Sequence, residues 1–516
     1  MFIPPSLVPV PVADDQIHPP RIVLVGIGGG GSRILSEGIT KFQQYKQLDR
    51  YRSILEATGG FTPRPHWFLV DTSVDPLQPG FYPGIPKENR VSLSRSVEGV
   101  SRGAGGKPGR AADAMRSEAV AKILSEELYR PLRALSPSVV VLLHSADGGT
   151  GGGLTPELVL QLGYALPSST VFWVFSVLPI QSELALSGPR TVGCALGRLL
   201  QVARNLSDER FDEIPFVCRE AIDKLQGHRT TDGGYNFEHS RVALFPLSNN
   251  HFAQCWEDRK EVEIRKELLN PFPLEILGAT LHPYLRYHYS DHDEQAWMQD
   301  NWPLGPVDIP DIMAGISKDR PFVVPHVWFD PADWSDAAIA ATVEAAAKGQ
   351  IAYVKEDYDA TGRFRPFDFT GAATGFEEFG ASRVYCLPVY PQGSSLFDEM
   401  DDLVSNRWFP RLAARLKYFP PNESRGVGAV THAANLKPQP FPASTAEHQL
   451  DFDRGFLVSL LFGAVPSDFR VWVRATEPIL AKHDTVPMWE ISAADSFKML
   501  TDLAKYSGMK DWSPWG

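Results

Sequence analysis

Cysteine is scarce in this 516-residue chain. The four present, Cys194, Cys218, Cys255 and Cys386, form no CxxC pair and no zinc-ligand spacing. That excludes a disulfide-stapled scaffold, and the thiols are expected to be reduced groups of a cytoplasmic protein. Long apolar runs are lacking too. The best, VFWVFSVLPI at 171–180, is strand-sized, well short of the roughly 18 residues of a spanning helix, so no membrane segment is expected. Positive charge is in deficit. Fifty Lys and Arg against 62 Asp and Glu leave a net charge of −12, which argues against direct nucleic-acid binding, since that needs a basic face. The first twenty residues are Pro-rich without a basic region, and read as a flexible tail rather than a signal peptide. Thirteen histidines accompany no HExxH pattern. His144, His282, His288 and His292 are therefore read as packed or surface imidazoles rather than metal ligands.

What remains is globular in composition, 43% hydrophobic and 22% charged, and long enough for several domains. Apolar runs RIVLVGI (21–27), HWFLVDT (66–72), SVVVLLHS (138–145), TVFWVFSVLP (170–179) and RVALFPL (241–247) are separated by helical stretches, the first from about Ser32 to Phe42. Fully apolar strands alternating with helices predict an α/β fold with a Rossmann-like parallel sheet covered on both faces. Ligands of such sheets bind at the carboxyl ends of the strands. The expected organisation is a tail at 1–20, a nucleotide-binding domain at 21–248 and a central helical connector with insertions at 249–305. A second α/β domain with a mixed sheet follows at 306–500, then a tail at 501–516. In that second domain FVVPHVWF, RVYCLPVY, RGVGAVTHA, FLVSLLFGAV and FRVWVRA read as strands, and 360–376 and 436–447 as surface loops.

Glycine is abundant, and fourteen of the 42 fall in three short windows. The first is Gly26, Gly28, Gly29, Gly30 and Gly31 with Ser32, between a strand and a helix. Residues without Cβ let backbone N–H groups approach a phosphate, and the helix N-terminus adds partial positive charge. The second, Asp147, Gly148, Gly149, Thr150, Gly151, Gly152 and Gly153, again joins strand to helix. Two such units exceed what a dinucleotide requires and suggest a polyphosphate held from two sides. Thr150 is expected to donate to a phosphate oxygen, and Asp147 to hold a water on a hard cation such as Mg²⁺. The third, Gly103, Ala104, Gly105, Gly106, Lys107, Pro108 and Gly109, with Arg102 and Arg110 around it, supplies cations for a terminal phosphate.

Together these windows resemble the tubulin/FtsZ superfamily of GTPases, in its divergent prokaryotic or phage and plasmid branches. DGGTGGG at 147–153 is similar to the family's GGGTGTG signature, GIGGGGS to the first loop of FtsZ, and FLVDTSVDPL (68–77), with Asp71 and Thr72, to its second-strand segment. GAGGKPGRAADA (103–114) resembles the loop that reaches the γ-phosphate, and PVDIPDI (306–312) the synergy loop. The resemblance implies GTP/GDP and Mg²⁺ as ligands, a long central helix, and self-association into head-to-tail filaments. Asp308 and Asp311 would then complete hydrolysis on a neighbour's nucleotide; helix capping is their alternative reading. It further implies ribose contacts from Glu183 and Arg190, and base contacts from Asn249 or Asn250. Glu275 is the candidate to read guanine, with Phe272 stacking beside it. Arg33 stands where the family has a base-touching asparagine. Two other readings stay open: a tubulin-fold module that binds nucleotide without polymerising, and an NAD(P) protein using GIGGGGS, with Asp71 on the ribose.

Overall fold

The computed structural model describes residues 19–94 (apart from 45, 47, 48 and 79), 103–180 (apart from 105, 116 and 168), 189–208, 240–249, 270–301 (apart from 271), 309–313, 316 and 321–329, together with 371–372, 383–391, 428–431, 434–436 and 456–463.

The first sheet takes its strands from the apolar runs. They are β1 (Ile22–Ile27), β2 (Trp67–Asp71), β3 (Arg90–Ser92), β4 (Val139–Ser145), β5 (Val171–Leu178) and β6 (Val242–Ser248). All pairings are parallel, in the order β3-β2-β1-β4-β5-β6. The chain runs outward from β1 to β3 and then returns to the other side of β1. A crevice therefore opens between the carboxyl ends of β1 and β4.

Both faces of the sheet are buried, and the pleat divides them. Ile22 and Leu24 of β1, with Trp173 and Phe175 of β5, join one core with helices α1 (Gly28–Gln44) and α2 (Asp49–Ala57). Val23, Val25 and Ile27 face the other core. That side is covered by α3 (Pro108–Ala114) and α4 (Glu118–Leu124), by α5 (Arg130–Leu135) beyond a π turn, and by α6 (Gly149–Ala165) and α7 (Pro189–Asp208). The central helix, α8 (Phe272–Tyr289), packs on the α1 side and is followed by α9 (His292–Asn301) and α10 (Ile309–Met313).

The second sheet is mixed, as expected. Its strands are β7 (Val323–Phe329), β8 (Gly371–Ala372), β9 (Arg383–Pro391), β10 (Gly428–Thr431), β11 (Ala434–Leu436) and β12 (Phe456–Phe462). The order is β10-β9-β12-β7-β8, with β11 also paired to β9; β12 runs antiparallel to both β7 and β9. The two-residue β8 and the end of β11 fall within stretches expected to be surface loops. The expected strand FRVWVRA lies outside the described residues. Backbone groups join the two sheets: Leu244 N–H donates to Pro321 O (2.8 Å), and Gly463 N–H to Phe322 O (2.7 Å).

Candidate functional site

Two of the three glycine windows start helices instead of forming loops, a correction to the expected start near Ser32. α1 begins at Gly28, directly after β1, and α6 at Gly149, after a three-residue turn that follows β4. Their first turns stand side by side at the crevice, and the glycines are what permit it. A Cβ on Gly31 would fall 2.0 Å from the Leu143 carbonyl oxygen of β4, and one on Gly28 would fall 2.9 Å from Gly151 N. Gly28 also has φ +67°, a left-handed conformation that glycine adopts without strain. On the far side, a Cβ on Gly149 would meet Lys107 N at 2.7 Å and one on Gly153 would meet Pro108 O at 2.1 Å. The third window therefore packs against α6 by backbone alone. Around Gly29 and Gly106, by contrast, a Cβ would meet nothing within 4 Å. The three windows thus converge, with open space before the α1 turn and the third loop. Arg33, Lys107 and Arg110 are exposed there. Two helix N-termini, exposed cations and open backbone suit an anion of several phosphates.

Beneath the turns lies a buried polar cluster. Asp71, the last residue of β2, receives Ser73 N–H (3.1 Å) and the Thr150 hydroxyl (3.3 Å) on the same oxygen, Oδ1. The Thr150 and Thr72 hydroxyls are 2.6 Å apart. Burial raises the Asp71 carboxyl above its ordinary range, and Asp75 adds to that, while the hydrogen bonds from Ser73, Thr72 and Thr150 oppose it. Asp147, half-buried, accepts from the Ser145 hydroxyl. His144, one step back along β4, is wholly buried, with Nε2 2.7 Å from Ser176 Oγ. Burial lowers its pKa to about 4, so it is a neutral packing group. Among the described residues no three His, Cys, Asp or Glu cluster to hold a metal. Mg²⁺ would thus depend on phosphate oxygens and water, with Asp147 nearby.

Sequence reasoning missed Tyr82. It sits at φ +52° in the turn after β2, held by Arg90, whose guanidinium donates to the Tyr82 (2.9 Å) and Ile85 (2.7 Å) carbonyls. Burial pushes the phenol up to about 12, with the Asp71 charge adding to it and Arg33 opposing. The next residue's carbonyl, Pro83 O, accepts from the Ser36 hydroxyl of α1 (2.8 Å), so this turn lies against α1. Only the glycines and prolines around it (PGFYPGIP) hinted at a shaped turn.

The base-reading assignment needs correcting. Glu275, in the first turn of α8, is 2% exposed and pairs with Lys41 Nζ at 2.6 Å, while accepting from Tyr51 O–H. Lys41 lies thirteen residues down α1 from Gly28, about 20 Å along the helix. Glu275 is therefore an ionic link between helices, remote from the glycine turns. Phe272 is likewise in the core, 2% exposed, rather than open for stacking. Asn249 directly follows β6 at the carboxyl edge and is half-buried. Arg190 stands at the start of α7. Gly105, Glu183, Asn250 and Asp308 lie outside the described residues.

Asp311 belongs to α10. There Met313 Sδ accepts from Trp173 Nε1 (3.3 Å), and just beyond it Ile316 O accepts from Ser240 N–H (3.3 Å). Trp173 is the third residue of β5, and Ser240 precedes β6. α10 is thus at the amino-terminal edge of the sheet, and the glycine turns at its carboxyl edge, about 20 Å away along a seven-residue strand.

No protein-family model and no curated protein sequence matches the chain. Among solved structures it is similar to CetZ1 from Haloferax volcanii, a GDP-bound monomer (13% identity over 94% of this chain and 98% of that one, TM-score 0.45). It is also similar to CetZ2 from Haloferax volcanii, a GTPγS-bound protofilament (14%, 90% and 100%, 0.49). A third is the GTPγS-form protofilament of TubZ from Bacillus thuringiensis serovar israelensis (13%, 90% and 93%, 0.48).

Proposed function

We propose that the chain binds a guanine nucleotide at the paired helix N-termini of α1 and α6, hydrolyses GTP, and assembles head-to-tail into filaments. The observation that carries the reading is the convergence of three glycine windows, distant in sequence, on one crevice at the carboxyl ends of β1 and β4. Backbone N–H groups at Gly29 and Gly30 would face the phosphates, with Lys107 supplying positive charge. Mg²⁺, when bound, would neutralise further phosphate charge. Asp308 and Asp311 would orient the attacking water as carboxylates do in phosphoryl transfer. Since α10 is at the far edge of the sheet, they would do so only for the nucleotide of a second copy stacked on that edge.

One test is direct. The purified chain is denatured and the released ligand identified by chromatography; guanine di- or triphosphate is expected. Sedimentation with GTP and Mg²⁺ should then yield polymer, reduced in Asp308→Ala. Bound nucleotide without polymer at micromolar protein would leave only the binding half of the proposal standing.

An NAD(P) reading has one observation in its favour. Gly26, Gly28 and Gly31 keep the GxGxxG spacing, in a sheet of matching strand order. Against it, Asp71, the acid that would meet the ribose, is 4% exposed and occupied by Ser73 and Thr150. Fluorescence change on adding NADH would favour this reading over the first.

A further inference from the structure

Thr150 occupies the centre of the α6 turn, and its hydroxyl is the obvious side-chain donor for a phosphate. The hydrogen-bond directions in the buried cluster say otherwise. Asp71 Oδ1 accepts the Ser73 backbone N–H. Thr150, 3.3 Å away, donates to the same Oδ1. A hydroxyl has one proton. With Thr150's directed at Asp71, the 2.6 Å contact between Thr150 and Thr72 is satisfied only by Thr72 donating. The chain runs Thr72 to Thr150 to Asp71, and both hydroxyl protons point into the protein. Burial agrees: Thr72 is fully buried and Thr150 is 7% exposed.

From this we infer that Asp71, Thr72 and Thr150 form a clasp tying the end of β2 to the first turn of α6, and that Thr150 is a positioning residue rather than a phosphate contact. The inference rests on the nucleotide reading above and deepens it. What the clasp positions is Gly28: a Cβ there would lie 3.0 Å from Thr150 Cβ and 2.9 Å from Gly151 N. The α1 turn is thus seated on the Thr150 side chain and on the backbone that follows it. Fixing Thr150 from β2 sets the spacing between the two helix N-termini, and the phosphates are left to backbone N–H groups and surface cations.

The test uses the full chain and titration with fluorescent GTP and GDP analogues. Thr150→Val, Thr72→Val and Asp71→Ala are each expected to weaken both ligands by about tenfold, the scale of one buried hydrogen bond. The Thr72→Val/Thr150→Val double variant should be little weaker than either single one, because each breaks the same chain. Thr150→Ser keeps the hydroxyl and should restore affinity. A merely structural loss would lower thermal stability in all variants without that rescue of binding. If Thr150→Val alone weakens binding while Thr72→Val and Asp71→Ala do not, Thr150 touches phosphate and the clasp role is wrong. Additive losses in the double variant overturn it as well. A wild-type chain that binds neither analogue is a different failure: it removes the nucleotide reading, and this inference with it.

Discussion

Alanine at Gly29 and alanine at Gly31 should behave as opposites, although the two positions are only two residues apart in one run of glycines. At Gly31 the new methyl would meet the Leu143 carbonyl oxygen at 2.0 Å, a backbone atom of a central strand that cannot yield. Overpacking of that kind costs about 3 kcal/mol or more, and urea denaturation of Gly31→Ala should show it. At Gly29 the methyl meets nothing within 4 Å, and alanine in a helix is favoured by up to about 1 kcal/mol. Gly29→Ala should therefore hold or raise stability while weakening nucleotide binding, because the methyl occupies the space that phosphate needs. Asp71 offers a pH test. Its pKa is raised above 3.8 by burial. Between 3.8 and the raised value the native state binds the proton more tightly than the unfolded one. The stability this contributes is present at low pH and lost as pH rises through the raised value. Relative to Asp71→Asn, the wild type should gain in urea midpoint as pH falls through the raised value towards 3.8. A difference that stays flat with pH would contradict the burial of this carboxyl.

At the scale of elements, the Lys41–Glu275 pair binds the central helix α8 to α1. Its side chains are 9% and 2% exposed, with the Tyr51 hydroxyl as a third member. Removing one partner of such a pair strands a buried charge and costs about 3–5 kcal/mol, while replacing both by apolar groups of similar size is close to neutral. Lys41→Met and Glu275→Leu should each destabilise strongly and the double variant much less, read as denaturation midpoints. A double variant as weak as the sum of the two single ones would mean that Lys41 and Glu275 are not coupled. The same pair marks where the sequence stopped being legible. The strands of the first sheet could be read because each is a fully apolar run buried on both faces, a local property. The three glycine windows could be read because backbone contact forbids Cβ whatever the partner. β3 could not: it is three residues long, and Arg90 and Ser92 in it carry no apolar pattern. Glu275 was assigned to the base from its place at the start of a helix; what decides its role is Lys41, and that pairing exists only after α8 has packed on α1. Tyr82 escaped for the same reason, since its place depends on a turn folding back onto α1, where the Ser36 hydroxyl donates to Pro83 O. The windows were first read as loops because glycine normally interrupts helices; here the need to pass close to β4 and the third loop outweighs its poor helix propensity.

For the whole molecule the decisive relation is between edges. The glycine turns occupy the carboxyl edge of the first sheet, and α10 the opposite edge. The Leu244–Pro321 and Gly463–Phe322 backbone bonds tie β6 to the second sheet immediately after this segment. Folding one chain back to bring Asp311 to its own phosphate site would require taking that junction apart. If these acids serve hydrolysis at all, they serve it across two copies, and mixing experiments separate the cases. Asp308→Ala keeps an intact nucleotide site but lacks the acid. Gly29→Val keeps the acid but places a side chain in the open space of the α1 turn. Each alone should release little phosphate from GTP. Mixed in equal amounts, a copy of Asp308→Ala that binds nucleotide can meet the acid of a Gly29→Val neighbour. Up to a quarter of the interfaces in a random mixture are then competent, so phosphate release should recover to about that fraction of the wild-type rate. The recovery should disappear on dilution below the assembly concentration. Activity that never recovers, in mixtures that still co-sediment, would mean that the acids act within one chain or not at all. Full activity in Asp308→Ala alone would assign the segment to helix capping, where an aspartate before α10 would accept its first backbone N–H groups.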